Sequence, residues 1–571
     1  MLPESPGKRN GLSAYRSVIA VLVLVITVAP LAWSRSKKTE ATEQPSAPNP
    51  AAAKIFWQEN KLAGDMHNYR PLVETYIQNM KPDAELGAVP VNDSYFFGRL
   101  VLDKRGLSDT LFENNKSLHT SVLDRLTTVF RMNYLPAGFL QLVLLNNKFD
   151  AQHYELKFLH AQFLGEVRTL VFDAVPKPHF KGPHFVGRIW VEDQDYHIIR
   201  INGAYEPRSS VDFYLHFDSW RINMQPGLWL PAYVYTEETA TRYMLVRKLS
   251  MKGQTRLWGY ALKPMGREDE MTAIQVDPDQ VSDQSDNSAN EFSPLRSQEM
   301  WEYEAEDNVL DRMERAGVLA PKGDVSKILE TVANNLVITN DLNITPPVRC
   351  RVLLTTPFES FTVGHTIILS RGLLDVLPDE ASLAAVIAHE MAHIALGHRM
   401  DTRYSFSNRL VFPDEQVFRR IIVHRDRREE AEADTKAMEL LSKSPYKDKL
   451  GNAALFFKAL QDRSAELTWL ITPHFGNPIA KKNDVLRMPA LMQQGDKLDK
   501  ASMTQIAALP LGSRIKLDPW DDHLEMKKTG MTMLRSARDK MPFEVTPVFP
   551  NLVRFGAAPQ VAKSAEGTVA K

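Results

Sequence analysis

Between residues 266 and 298 this 571-residue chain changes character. Glu268, Asp269, Glu270, Asp277, Asp279, Asp283, Asp286 and Glu291 stand there among Ser and Asn, with few large apolar side chains. Such a stretch buries too little to offset the entropy of ordering it, and it is expected to be an acidic, disordered linker. On its N-terminal side, strand-like runs recur at 97–102, 154–159, 168–175, 186–192, 197–204, 210–218 and 229–236. Turn signals such as Asp193-Gln194-Asp195 and Gln225-Pro226-Gly227 separate them. On its C-terminal side the pattern turns helical, through 301–315 and 325–337, and stays so to about Met492. The expected fold class is multidomain α+β. A mostly antiparallel β domain occupies 56–265, with helix from about Phe56 to Met80 at its start. A mainly helical domain follows over 299–500, then an extension over 501–571 with a disordered end.

The first 38 residues read as a signal peptide or membrane anchor. Lys8, Arg9 and Arg16 precede an apolar run from Val18 to Trp33, and Arg35, Lys37 and Lys38 follow it. Residues 39–55 are rich in Ala, Pro, Ser, Thr and Glu and read as a flexible spacer. These segments place the chain on the periplasmic side of the cytoplasmic (inner) membrane, anchored there or soluble after cleavage. The net charge of −1 gives no basic field to recruit nucleic acid. The single cysteine, Cys350, excludes an internal disulfide and any multi-cysteine metal site.

The chemistry is concentrated in His389-Glu390-Met391-Ala392-His393, inside an alanine-rich helix that opens with Pro378-Asp379-Glu380. Asp379 suits an N-cap and Glu380 complements the positive end of the helix. A four-residue step advances about 6 Å and nearly one turn, so both imidazoles leave one face and can close on a single Zn²⁺. Glu390 is rotated about 100° from His389, beside the metal, where it can act as general base. A hydrolytic zinc site wants three protein ligands and one open position. His398 lies five residues beyond His393, which is not one clean helical turn. Glu430 and Asp434, four apart on a second helix, share a face. One can ligate the metal while the other hydrogen-bonds a ligand histidine. Glu432, two positions from Glu430, points elsewhere on that helix.

From Val348 to about Leu441 these residues also resemble metallopeptidase family forty-eight, which includes the CaaX prenyl protease, HtpX and BepA. The resemblance is carried by Thr366-Ile367-Ile368-Leu369-Ser370 leading into Arg371-Gly372-Leu373-Leu374, by the HExxH helix, and by Glu430-x-x-x-Asp434. It implies an HExxH gluzincin-type peptidase domain, with Glu430 as third zinc ligand and Asp434 supporting a ligand histidine. It also implies that 363–370 is the edge to which an extended substrate adds as a strand. The chain departs from the family at Glu359-Ser360-Phe361, and at Thr472-Pro473-His474-Phe475-Gly476-Asn477-Pro478. In the latter, His474 stands in as candidate transition-state stabiliser and no aligned arginine follows. Through Phe185-Val186-Gly187-Arg188-Ile189-Trp190-Val191-Glu192-Asp193 and Ile198-Ile199-Arg200, read as a hairpin across an acidic turn, the β region more weakly resembles the curved sheet of the LolA and RseB fold. On that likeness Trp190, Phe213, Phe217, Trp220 and Trp229 either line a face for lipid or lipoprotein or form plain core.

Together these features describe a zinc metalloendopeptidase, with one Zn²⁺ per chain, that hydrolyses unfolded or extended protein in envelope quality control. The alternative is a periplasmic chaperone or lipoprotein-binding module with a low-activity zinc site. A binding module needs no general base, so the intact Glu390 favours the enzyme.

Overall fold

A computed structural model describes residues 50–83, 87–99, 109–110, 142–145, 148–178, 180, 184–206, 216–243, 247–260, 294–399, 417–418, 423–482, 484–499, 514–517, 524–527, 538, 548 and 552–555. The expected signal or anchor, most of the spacer, most of the acidic linker and the end of the chain lie outside these residues. Helix α1 (Pro50–Asp65) begins inside the expected spacer. No helix among the described residues is long and apolar enough to cross a membrane.

Ten strands form one open antiparallel sheet. They are β1 (Leu72–Asp83), β2 (Gly87–Arg99), β3 (Asp109–Thr110), β4 (Tyr154–Leu164), β5 (Val167–Pro176), β6 (His184–Glu192), β7 (Ile198–Glu206), β8 (His216–Gln225), β9 (Leu228–Tyr243) and β10 (Arg247–Trp258). Their order is β3-β2-β1-β10-β9-β8-β7-β6-β5-β4, a meander in which β1 closes onto β10. The expected helix over 56–80 is therefore α-helix only as far as Asp65, with a 3-10 turn over Met66–Asn68. Beyond Leu72 the residues alternate between two cores. Val73, Ile77 and Phe96 pack on one face of the sheet, and Leu72, Tyr76, Tyr95 and Phe97 pack on the other. Pairing on both sides of β1 decides for strand where local pattern allowed a helix.

Helix α1 covers the first face. Its Glu59 is buried and accepts two hydrogen bonds from Arg221 of β8, at 2.7 and 2.8 Å. On the second face, Trp190, Trp220 and Trp229 are buried with Val548 and Leu552. Just beyond, Arg554 reaches Glu192 and Asp193 at 3.0 and 2.9 Å. The chain's own C-terminal segment thus covers these aromatics as core. Phe217 belongs to the other core, and Phe213 lies outside the described residues.

The described helices of the second half include α2 (Pro294–Arg315), α3 (Asp324–Thr339), α4 (Arg371–Leu374), α5 (Glu380–Ala395), α6 (Arg427–Ser442) and α7 (Leu450–Arg463), with a last turn at Pro489–Met492. They pack around a small sheet of β11 (Arg349–Leu353), β12 (Ser360–Val363) and β13 (Thr366–Ser370), ordered β11-β13-β12. Cys350 lies buried in β11, where burial pushes its thiol up to about 12. The expected substrate edge at 363–370 is not an edge. β13 is the central strand, paired with β11 on one side and β12 on the other. Its unbroken Thr-Ile-Ile-Leu-Ser run is what a strand covered on all sides requires. The outer side of β11 is bridged by the segment around Leu319, which leaves β12 as the strand beside the site.

The two halves share one hydrophobic core. Leu72, Tyr76, Tyr95 and Phe97 of the large sheet belong to the same cluster as Ile387, Ala388 and Met391 of α5. Buried Glu74 on β1 accepts from Arg256 Nε at 2.9 Å, Tyr95 Oη at 2.8 Å and the Thr356 backbone N–H at 2.6 Å. Asp93 on β2 accepts from the backbone N–H groups of Trp469 and Leu470, at 3.0 and 2.9 Å.

Candidate metal centre

Asp379 caps α5, its carboxylate accepting from Ser382 N at 2.8 Å. The helix is buried from Ala384 through His393, because its alanines admit close neighbours on every side. Asp426 caps α6 in the same way, accepting from the N–H groups of Arg428 and Glu429. The two helices pack together and bring His389, His393 and Glu430 into one group, their ligand atoms all within 4.8 Å of one another.

The donor geometry fits a tetrahedral divalent ion. His389 Nε2 lies 3.2 Å from His393 Nε2, and Glu430 oxygens lie 3.4 and 3.6 Å from these two nitrogens. Ligands about 2.0–2.1 Å from one tetrahedral Zn²⁺ stand about 3.3 Å apart. His389 turns its other nitrogen, Nδ1, to Asp434 Oδ1 at 2.9 Å, so Nε2 is the atom aimed at the shared point. The sequence assignments of His389, His393, Glu430 and Asp434 thus converge in space.

The electrostatics suit a cation. Burial pushes the His393 imidazole down to about 3, so it is neutral and able to ligate. Burial also lowers His389, but its hydrogen bonds to Asp434 and Glu430 outweigh that and hold it above the usual histidine value. A proton on His389 therefore competes with the metal. Burial raises Glu430, yet the His389 contact and the Arg487 charge prevail and bring it to about 2.

Glu390 is buried beside this group. Its Oε1 accepts from Ser360 Oγ and from Arg487 Nη1, both at 2.7 Å. Burial works to raise its pKa, but Arg487 and the two histidines hold it below the usual glutamate range, so it is ionised at neutral pH. Arg487 also donates to the carbonyls of Ser360 and Asn477, at 3.2 and 3.1 Å, and to Ser360 Oγ. Asn477 donates to Glu430 Oε1 at 2.9 Å and to the Arg425 carbonyl at 2.8 Å. Sequence reading missed both Arg487 and Asn477. The one available signal was the family's expected arginine, which falls at a spacing the pattern did not reveal.

His474 takes a different place. It bonds Glu359 Oε1 at 2.7 Å and packs against Tyr95 and Phe97, on the seam with the large sheet. The guanidinium that touches Glu390 belongs to Arg487. Glu432 stands outside the ligand group, and its Oε2 lies 3.4 Å from His398 Nε2. A second group, Glu192, Asp195 and His197, also has ligand atoms within 4.8 Å of one another. There the Glu192 carboxylate already accepts from the N–H groups of Gln194, Asp195 and His197 and from Arg554, and it serves as a turn cap.

Fold and site together define a metallopeptidase-type HExxH core. Residues 324–474, within the helical half, match the model of Peptidase family M48. The chain is also similar to the metalloprotease LoiP of Escherichia coli (strain K12), with 34% identity over 94 residues, 16% of this chain and 36% of that protein. It thus spans about a third of the length of that curated relative. Among solved structures, a LolA superfamily protein from Nitrosomonas europaea aligns with 38% of this chain and 96% of its own, at 11% identity and a TM-score of 0.20.

Proposed function

We propose that this chain is a metalloendopeptidase that holds one zinc ion through His389, His393 and Glu430 and hydrolyses peptide bonds of unfolded or extended protein. The observation that carries the reading is the buried carboxylate of Glu390 set directly beside a complete three-ligand cluster. A bound ion supplies Lewis-acid polarisation of the scissile carbonyl and acidifies water. The chain's own groups do the rest. Ser360 and Arg487 hold Glu390 by Oε1, so its Oε2 is the atom to take a proton from the attacking water and return it to the leaving amine. Arg487 supplies fixed positive charge where oxyanion charge develops. β12, tied to Glu390 through Ser360, is the candidate strand for aligning an extended chain. Export to the periplasmic side of the membrane and a part in envelope protein quality control belong to the same proposal. They are motivated by the charge–apolar–charge pattern of the first 38 residues.

Casein turnover by the purified chain, with zinc and with chelator, tests the activity. Glu390→Gln should retain its zinc and lose hydrolysis by about 10²–10⁴-fold, since an amide cannot accept the proton. Undiminished hydrolysis in that variant would remove Glu390 as base. A wild type that binds zinc but cleaves no unfolded protein would favour the binding-module reading instead.

A further inference from the structure

Helix α5 is closed by Leu396 and Gly397, the latter with a φ of +71° in the left-handed region. The turn that follows is a Schellman motif. Gly397 N donates to the Ile394 carbonyl and His398 N to the His393 carbonyl, both at 3.0 Å. Five residues do not make one helical turn, yet this reversal folds His398 back onto His393. The two rings meet Nδ1 to Nδ1 at 2.8 Å.

That contact fixes the protons. With His393 Nε2 facing the ligand cluster, its proton sits on Nδ1, so it must donate to His398 Nδ1. His398 then carries its own proton on Nε2, and that atom lies 3.4 Å from Glu432 Oε2. Helix α6 therefore reaches the HExxH helix twice, with Asp434 against His389 and with Glu432 through His398 against His393. We infer that His398 is a positioning residue of the metal centre, one that fixes the ring and tautomer of His393 and is itself steadied by Glu432. The inference rests on the metal reading given above.

The test is zinc affinity of the full chain, purified in detergent, stripped of metal and titrated with Zn²⁺ alone against a fluorescent chelator. His398→Leu should weaken zinc binding roughly 10- to 100-fold, the usual cost of losing a hydrogen-bond partner of a ligand. His398→Asn places Oδ1 near the position of Nδ1 and should stay within about threefold of wild type. Glu432→Ala, at a half-exposed position, should weaken binding by several-fold. Thermal melts of the metal-free variants report folding separately. Wild-type affinity in His398→Leu overturns the inference. So does an Asn variant as weak as the Leu variant, because the ring would then act by packing alone. Where His398→Leu does not fold, unchanged affinity in Glu432→Ala is decisive against it. A wild type that takes up no zinc overturns the proposed function itself, and that result appears before any substitution is compared.

Discussion

Arg487 is the residue on which the candidate site turns. It is 4% exposed, so its charge has little water around it and must be matched by protein. The match is Glu390 at 2.7 Å, with Glu430 at 3.6 Å beyond. Arg487→Ala leaves Glu390 as a buried, unpaired carboxylate, which typically costs about 3–5 kcal/mol. The same change should reduce casein hydrolysis by about 10²–10³-fold, the scale of removing one preorganised donor. Arg487→Lys keeps the charge and loses the planar fork that spans Glu390, Ser360 and Asn477, and should recover stability more fully than turnover. Equal turnover in the Lys variant and wild type would reduce Arg487 to a counter-ion. His389, Glu390 and His393 were legible because helical periodicity alone puts the two histidines on one face and Glu390 beside them. Arg487 and Asn477 were not, because only tertiary folding carries the segment 472–487 across α6.

At the scale of elements, the Gly-Leu-Leu motif illustrates what sequence shows and what it hides. The motif forms α4, and Ser370 caps it by accepting from Leu373 N at 3.2 Å. Its reason for glycine appears only in three dimensions. A Cβ at Gly372 would lie 1.7 Å from the Thr356 carbonyl oxygen, a backbone atom that cannot swing aside. Gly372→Ala should therefore cost about 1–3 kcal/mol or more by forcing α4 off the 354–358 segment. Gly451 in α7 has no neighbour within 4 Å of such a Cβ, and Gly451→Ala should stabilise by about 0.4–1 kcal/mol. Urea midpoints of the two variants compare them directly, and a tolerated Gly372→Ala would deny the close approach. The same limit explains the misread elements. β1 satisfies a helical pattern locally, and only pairing with β2 and β10 makes it a strand. The apolar run of β13 signalled burial, but not which of its neighbours would leave an edge.

At the scale of the whole molecule, the acidic stretch at 266–298 suggested two separable bodies, whereas the described halves share a core and a polar seam. Hydropathy marks where a chain changes pattern; it carries no sign of which distant residues meet. The seam has a titratable centre in Asp93. Burial raises its carboxyl strongly, the N–H groups of Trp469 and Leu470 and the Tyr76 hydroxyl pull it back, and the balance is about 6. In the unfolded chain the same carboxyl titrates near 3.9. Between those values the folded state binds more protons than the unfolded state, so Asp93 makes stability fall as pH rises. Its contribution is fully present below about pH 4 and is lost through about pH 6. About two units at about 1.4 kcal/mol each give a loss of about 3 kcal/mol. Asp93→Asn removes the titration and sets an amide N–H₂ against backbone donors, so it should destabilise at every pH. The gap between wild type and variant should nevertheless be wider at pH 4 than at pH 7, because only the wild type weakens across the window. Urea unfolding of both proteins at the two pH values, with chelator present throughout so that metal binding adds no slope, measures that gap. A gap that is constant or widens with pH would mean that Asp93 is ionised in the fold from the start, and that the seam is held by a carboxylate rather than by a carboxyl group.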